Sequence, residues 1–154
     1  MNDLFTKIYN NYKNDVYRLI YSYVLNKEDS NDILQKVFTK LFININKFNL
    51  ADDNVKKWLF KVASNECKNH LKSYWISRRK DIDDLSNLNK TDNKDNELIN
   101  ILSGISLKYR LPLYLYYYEG YSIKEISTIL KISESNTKQR LKRGKEKLKV
   151  ELEK

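Results

Sequence analysis

Glycine occurs three times and proline once in 154 residues, and this scarcity constrains the fold more than any other feature of the chain. Tight turns between strands draw on residues that tolerate positive φ or preset it. A chain holding only Gly104, Gly120, Gly144 and Pro112 cannot furnish a strand-rich fold with its turns. Glycine-rich loops that cradle phosphates are excluded on the same ground. Helices joined by polar turns remain, and the apolar pattern agrees with them. Phe5, Ile8, Tyr9, Tyr12, Val16, Leu19, Ile20 and Tyr23 recur near the 3.6-residue period of an amphipathic helix over Leu4 to Val24. Lys27-Glu28-Asp29-Ser30-Asn31-Asp32 is an acidic start that complements the dipole at a helix N-terminus. Behind it, Ile33, Val37 and Leu41 run beside Leu34, Phe38 and Phe42 in two adjacent i, i+4 rows. The period is lost from Asn44 to Asp53, which reads as a loop. Val55, Trp58, Leu59, Val62, Ala63, Leu71, Tyr74 and Trp75 mark a third long helix, with Trp58 expected in the core.

Residues 76–96 are polar, mixed in charge and aperiodic. They carry too little apolar surface to offset the entropy of ordering and read as a flexible linker. Helical pattern returns at about Glu97, pauses from Lys108 to Pro112, continues through Leu115 and Tyr118, and stops at Glu119-Gly120-Tyr121, where glycine suits a helix terminus. The expected fold is all-α. Two small helical domains, 1–75 and 97–154, are joined by the linker, and the second contains a helix-turn-helix.

The formal charge of +9 suggests a polyanionic partner, and its distribution is more informative. Residues 1–75 carry 12 basic and 8 acidic groups, residues 76–96 carry 5 and 5, and residues 97–154 carry 12 and 7. Eight basic residues fall between Lys131 and Lys149, against Glu134 and Glu146. No stretch approaches the ~20 apolar residues of a membrane span, and Met1-Asn2-Asp3 lacks the basic start of a signal peptide. A cytoplasmic protein without membrane insertion is expected.

The basic cluster lies within a recognisable motif. Ser122 and Glu125 stand at capping-box spacing. Ile123, Ile126 and Leu130 form a buried stripe, and small Ser127 permits close approach of a second helix. After Lys131-Ile132-Ser133, either Ser133 or Ser135 caps a helix with Thr137, Leu141, Gly144 and Leu148 turned inward. Its other face displays Lys138, Gln139, Lys142, Arg143 and Lys145. A short helix, a tight turn and a basic second helix make a helix-turn-helix. In the major groove, Gln and Arg can read base edges while lysines neutralise phosphates. Lys131 occupies the turn position where glycine is usual.

These residues resemble a known family, the extracytoplasmic-function (ECF) sigma factors of bacterial RNA polymerase. EGYSIKEISTILKISESNTKQRLKRGKEKL, from Glu119 to Leu148, is similar to their promoter-reading C-terminal domain. The run Asp29-Ser30-Asn31-Asp32-Ile33-Leu34-Gln35-Lys36-Val37-Phe38 resembles their polymerase-binding helix. Trp58-Leu59-Phe60-Lys61-Val62-Ala63-Ser64-Asn65, with Asn69-His70-Leu71 beyond it, resembles the helix that binds the −10 element. The three blocks stand in the family's order, and the resemblance covers nearly the whole chain outside residues 76–96.

The resemblance implies core RNA polymerase (through its β′ clamp coiled coil and β flap), promoter DNA and an anti-sigma factor as partners. It implies polymerase contacts from Asp29, Asp32, Gln35, Lys36 and Phe38, with Lys36 standing where the family commonly has Glu. Contacts to the −10 element are implied for Phe48, Asn49, Asn54, Lys61, Asn65 and Asn69, the loop from Phe48 to Asn54 holding a flipped base. Flipping costs a few kcal/mol and needs Watson–Crick-edge partners, which amides can supply. Tyr74 and Trp75 offer rings that would stack on a base or fill the core. Contacts to the −35 element are implied for Ser135, Asn136, Lys138, Gln139, Arg140, Lys142 and Arg143, with Asn136-Thr137 in place of the usual Thr-Val.

Two other functions compete. Glu66, Cys67 and His70 fall on one helix and suggest a metal or a thiol nucleophile. One cysteine and one histidine provide neither a full ligand set nor a group to orient a Cys–His pair, so no catalytic residue, metal or cofactor is expected. A helix-turn-helix regulator acting without polymerase is the alternative. It differs in binding duplex DNA productively by itself.

Overall fold

The computed structural model describes residues 2–48, 54–78 and 97–154, with side chains over 3–48, 54–73 and 100–154. Every regular element among them is helical. Helix α1 (Asn2–Val24) is followed by α2 (Lys27–Ile43), a 3-10 turn (Ile45–Lys47) and α3 (Asn54–Arg78). After these come α4 (Glu97–Leu102), α5 (Leu107–Leu113), which continues as a π-helical turn (Tyr114–Tyr118), α6 (Ile123–Leu130) and α7 (Glu134–Leu152).

Local chemistry explains the boundaries. Asn26 caps α2, its side chain accepting from the Asp29 amide at 2.8 Å, one of the donors a helix start leaves unpaired. Few glycines are available, so two helices close on other residues in the left-handed region. Leu25 (φ 55) follows α1 and Lys131 (φ 59) follows α6. Gly120 (φ 74) supplies the third such reversal, after the π turn. Among the described residues no hydrogen bond or ion pair to the Lys131 side chain compensates for the strain of a Cβ in that region. Lys131→Gly is therefore expected to raise stability by about 0.5–1 kcal/mol, read as a higher urea midpoint.

The expected pause from Lys108 to Pro112 is not there. The break falls at 103–106, and Pro112 lies inside α5. Proline there lacks the N–H that would reach the Lys108 carbonyl and crowds that carbonyl with its ring, yet the helix runs on into the π turn, where the Glu119 amide donates to the Tyr114 carbonyl at 3.2 Å. Helix α3 continues to Arg78, past residue 75, and residues 79–96 of the expected linker lie outside the described residues. The expected loop at Asn44 is in part the 3-10 turn, where Ile45 is buried.

Helices α1, α2 and α3 pack on one another, and α5, α6 and α7 form a second unit. Gly144 permits a close approach of α7 to α5, since a Cβ on it would lie 3.0 Å from Leu113. The two units also pack together, α3 against α6 and α1 against α5, over one contiguous apolar core. Arg110 is central to this junction. It is 1% exposed and donates from Nη2 to the Tyr23 carbonyl at 2.6 Å and from Nη1 to the Ile105 carbonyl at 3.1 Å. Tyr23 lies in the last turn of α1, where carbonyls are unpaired and the dipole is negative. That environment holds a guanidinium without a carboxylate, while burial pulls its pKa down to about 10.

Candidate polymerase-docking and nucleic-acid surfaces

The outer face of α2 presents Asp32, Gln35 and Lys36, all exposed. With Lys40, Glu66 and His70 they line an open concavity of about 660 Å³. Lys40 pairs with Glu66, and Asp29 lies 3.3 Å from His70 Nε2, so α2 and α3 are tied along this face. Phe38 departs from its expected role as a surface contact. It is 4% exposed and meets the Tyr9 ring edge-on at 4.9 Å. Its i, i+4 neighbour Phe42 is 44% exposed. Between α1 and α2 these rings, with Phe5, line an apolar groove bordered by Gln35 and Thr39.

Glu66, Cys67 and His70, whose shared helix suggested a metal or a thiol nucleophile, are engaged separately. Cys67 is fully buried, and burial pushes its thiol pKa upward, away from the reactive thiolate. Glu66 and His70 are engaged with Lys40 and Asp29. Among the described residues no three His, Cys, Asp or Glu side chains are grouped to hold a metal ion.

On α3, Lys61, Asn65 and Asn69 follow one another at i+4, the first two half-buried and the third exposed. Trp58 is half-buried rather than in the core, its ring 5.0 Å from that of Phe48. Asn54 is exposed at the start of α3. Asn49 and the rest of the 49–53 loop lie outside the described residues, as do the side chains of Tyr74 and Trp75. A cleft of about 500 Å³ opens between α3 and α6, lined by Asn54, Lys57, Trp58, Lys61, Lys124 and Ile129. Lys57 and Lys124 are not among the residues for which the sequence motifs imply DNA contact. The i+4 relation of Lys57 to Lys61 is the signal that would have found the first of them.

Carboxylates of the second unit neutralise two of the α3 cations. Lys56 Nζ lies 3.0 Å from Glu119 and 3.5 Å from Asp15, and Lys57 Nζ lies 2.6 Å from Glu125. Burial raises the Glu119 carboxyl pKa even though Lys56 opposes it. The hydrogen bond from Lys57 and then the Ser122 amide hold Glu125 below the usual carboxylate range. Glu125 is also the capping-box partner of Ser122: the Glu125 amide donates to Ser122 Oγ at 3.1 Å, and the Ser122 amide donates to Glu125 Oε1 at 3.0 Å.

The helix-turn-helix has the register expected of it. Ser133, not Ser135, caps α7, accepting from the Asn136 amide at 2.9 Å. Thr137, Leu141 and Gly144 are buried, as are Ile126, Ser127, Ile129 and Leu130 on α6. Ser135, Lys138, Gln139, Lys142 and Arg143 are exposed, and Asn136 and Arg140 half-buried. Arg140 Nε donates to Asn136 Oδ1 at 3.1 Å, fixing the guanidinium at the edge of the basic face.

A helix-turn-helix with a cationic second helix, packed in one chain against a three-helix unit with its own basic helix, defines a two-part helical nucleic-acid-binding protein. Family comparison refines this. Residues 8–85 match the family model for sigma-70 region 2, and residues 95–148 match that for sigma-70, region 4. The ECF RNA polymerase sigma factor SigM of Bacillus subtilis (strain 168) is 35% identical, over 94% of this chain and 92% of that protein. RNA polymerase sigma factor SigV of the same organism is 26% identical, over 93% and 87%. The chain belongs to the sigma-70 family, as a sigma factor of the ECF type.

Solved structures share the fold. The sigma factor RpoE from Bartonella quintana, in co-crystals with the anti-sigma factor NepR, superposes with a TM-score of 0.78 at 16% identity, covering 99% of this chain and 98% of that one. CnrH, in complex with the cytosolic domain of CnrY, gives 0.69 at 17% identity, covering 99% and 90%. Among the described residues no helix is long and apolar enough to cross a membrane.

Proposed function

We propose that this protein directs transcription initiation by joining core RNA polymerase to a promoter read at two elements, with a non-catalytic role. The exposed row Asp32, Gln35 and Lys36 on α2, with Asp29 beside it, docks on the polymerase β′ clamp coiled coil. Phe38 supports that row from beneath. Phe48, Asn49, Asn54, Lys61, Asn65 and Asn69 engage the −10 element. Ser135, Asn136, Lys138, Gln139, Arg140, Lys142 and Arg143 engage the −35 element. The working domains are 1–75 and 97–154, with 76–96 between them. The observation that carries this reading is the capped, basic α7 of the helix-turn-helix in one chain with the exposed polar face of α2. An anti-sigma factor is a fitting regulator, since the structurally similar sigma factor RpoE was captured with the anti-sigma factor NepR.

The packed arrangement has a consequence for this function. Elements centred about 25 base pairs apart lie roughly 85 Å apart at about 3.4 Å per pair, yet α3 and α6 touch through Lys57 and Glu125. Engaging both elements requires the two units to separate. The 19 steps from Arg78 to Glu97 allow a span of up to about 65 Å, sufficient once the width of each unit is added.

The deciding experiment is in vitro transcription with purified core enzyme. Initiation at a defined promoter is expected only when this protein is added. Tight operator binding by the protein alone, with no initiation at any promoter, would establish the stand-alone regulator instead. DNA binding through α7 should be steeply salt-dependent. Four neutralised phosphates, at Lys138, Arg140, Lys142 and Lys145, give a slope of about −3.6 in log K against log salt, or about 100-fold between 50 and 200 mM. Lys142→Ala should weaken all sequences about equally, whereas Arg143→Ala should also cost about 1–3 kcal/mol of discrimination at one base pair. Binding-site selection on both variants checks this, and an unchanged profile for Arg143→Ala would make that residue a phosphate contact.

A further inference from the structure

The junction between the two units is charged asymmetrically. At one end, Lys56 and Lys57 meet Glu119 and Glu125. At the other end a cavity of about 210 Å³ is walled by Tyr23 and Lys68 from the first unit and by Lys108, Arg140 and the apolar side chains of Leu107, Leu111, Pro112 and Leu130 from the second. No carboxylate lines it, and among the described residues none pairs with Lys68, Lys108, Lys131 or Arg140. Lys68 Nζ donates to the Leu130 carbonyl at 2.8 Å, which brings it to the end of α6 where Lys131 follows. Arg140 commits Nε to Asn136, leaving its two terminal nitrogens for another acceptor. Lys108 lies over the Tyr109 ring, 5.8 Å from its centroid, and remains exposed to solvent. Burial lowers the Lys68 pKa, with the nearby charges of Arg140 and Lys131 adding to the effect. Like charges gathered around a partly desolvated space repel one another, and a multivalent anion between them reverses the sign of that interaction.

We propose that this junction cavity is a binding site for a small phosphate-class polyanion, of which pyrophosphate is the simplest, held by Lys68 and Lys108 with the Arg140 fork. Arginine presents paired donors that match phosphate oxygens, and lysine adds point charge. Because the walls come from both units, the bound anion stabilises their packed arrangement. Its competition with promoter DNA for Arg140 rests on the −35 reading above and is tested separately.

The test uses the full chain and sodium pyrophosphate titrated at constant ionic strength, with chloride and sulfate as comparators. Calorimetry should show one saturable site, and thermal unfolding should shift upward by about 3 °C or more near saturation. Lys68→Gln and Lys108→Gln should each weaken pyrophosphate binding at least tenfold. Lys149→Gln, exposed on α7 outside the cavity, should leave it unchanged. Gln at 68 can still donate to the Leu130 carbonyl, and unfolding of the variants without anion checks that they are folded. Pyrophosphate behaving like chloride at matched ionic strength would overturn the proposal, as would an equal loss in Lys149→Gln, which would indicate diffuse attraction to α7. A duplex DNA arm separates a free anion from a backbone phosphate. Lys68→Gln should change duplex affinity less than twofold, and a variant that weakens duplex but not pyrophosphate would reassign the cavity to DNA. Displacement of pyrophosphate by saturating duplex tests the shared use of Arg140. Absence of displacement would refute that competition alone.

Discussion

Phe60→Ala is expected to destabilise the protein by about 3–5 kcal/mol, the range for truncating a fully buried phenylalanine. Phe60 is fully buried. Its ring meets that of Tyr121 edge-on at 5.9 Å, and Lys56 Nζ lies 5.5 Å from the ring centroid. One side chain thus fills the core of the first unit and braces the second. Truncation opens a cavity and removes the surface on which Tyr121 and the Lys56–Glu119 pair rest. Urea unfolding followed by far-UV circular dichroism measures the loss. A loss below about 1 kcal/mol would correspond to a well-solvated site rather than a packed one.

The second large effect is functional and should leave stability intact. Joint replacement of Asp32 and Gln35 by alanine is expected to weaken association with core polymerase at least tenfold, which corresponds to about 1.4 kcal/mol or more. Both residues are exposed on α2, and among the described residues no cap or ion pair depends on their side chains, so the thermal midpoint should hold. Asp29 is the contrasting case. It faces His70, so Asp29→Ala would mix lost docking with a disturbed α2–α3 contact. Pull-down with purified core enzyme, alongside a thermal melt, separates the two. Undiminished retention of the double variant would remove α2 as the docking face.

Short-range chemistry was readable in the chain. Ser122 and Glu125 form the reciprocal cap their spacing implied, and Lys131 takes the left-handed conformation required of the turn residue. The inward set of α7 follows because a 3.6-residue period admits one register for Thr137, Leu141 and Gly144. Ser133 and Ser135 were equivalent as caps on spacing, and backbone geometry chose Ser133. Pro112 misled because a proline inside a helix usually signals an end. Here the helix continues through Pro112 into the π turn over Tyr114–Tyr118, in a segment packed against α7. Trp58 misled in the opposite direction, since apolar periodicity places a residue on the inward face without saying how deep that face lies. Cys67, nine residues further along the same helix, is fully buried.

By itself the sequence determined that the chain is helical, which face of each helix is apolar, and which helix carries the basic surface. Caps, periods and charge clusters act over a few residues along the chain. Only the tertiary structure decided how the scattered charges are used. Lys56 and Lys57 are neutralised across the junction, Arg110 is buried against a helix C-terminus, and Lys68 and Arg140 are gathered without a carboxylate. The reason is physical. The energy of a charge depends on its desolvation and on partners tens of residues away in sequence, such as Tyr23 for Arg110 and Glu125 for Lys57, and no local pattern encodes that proximity.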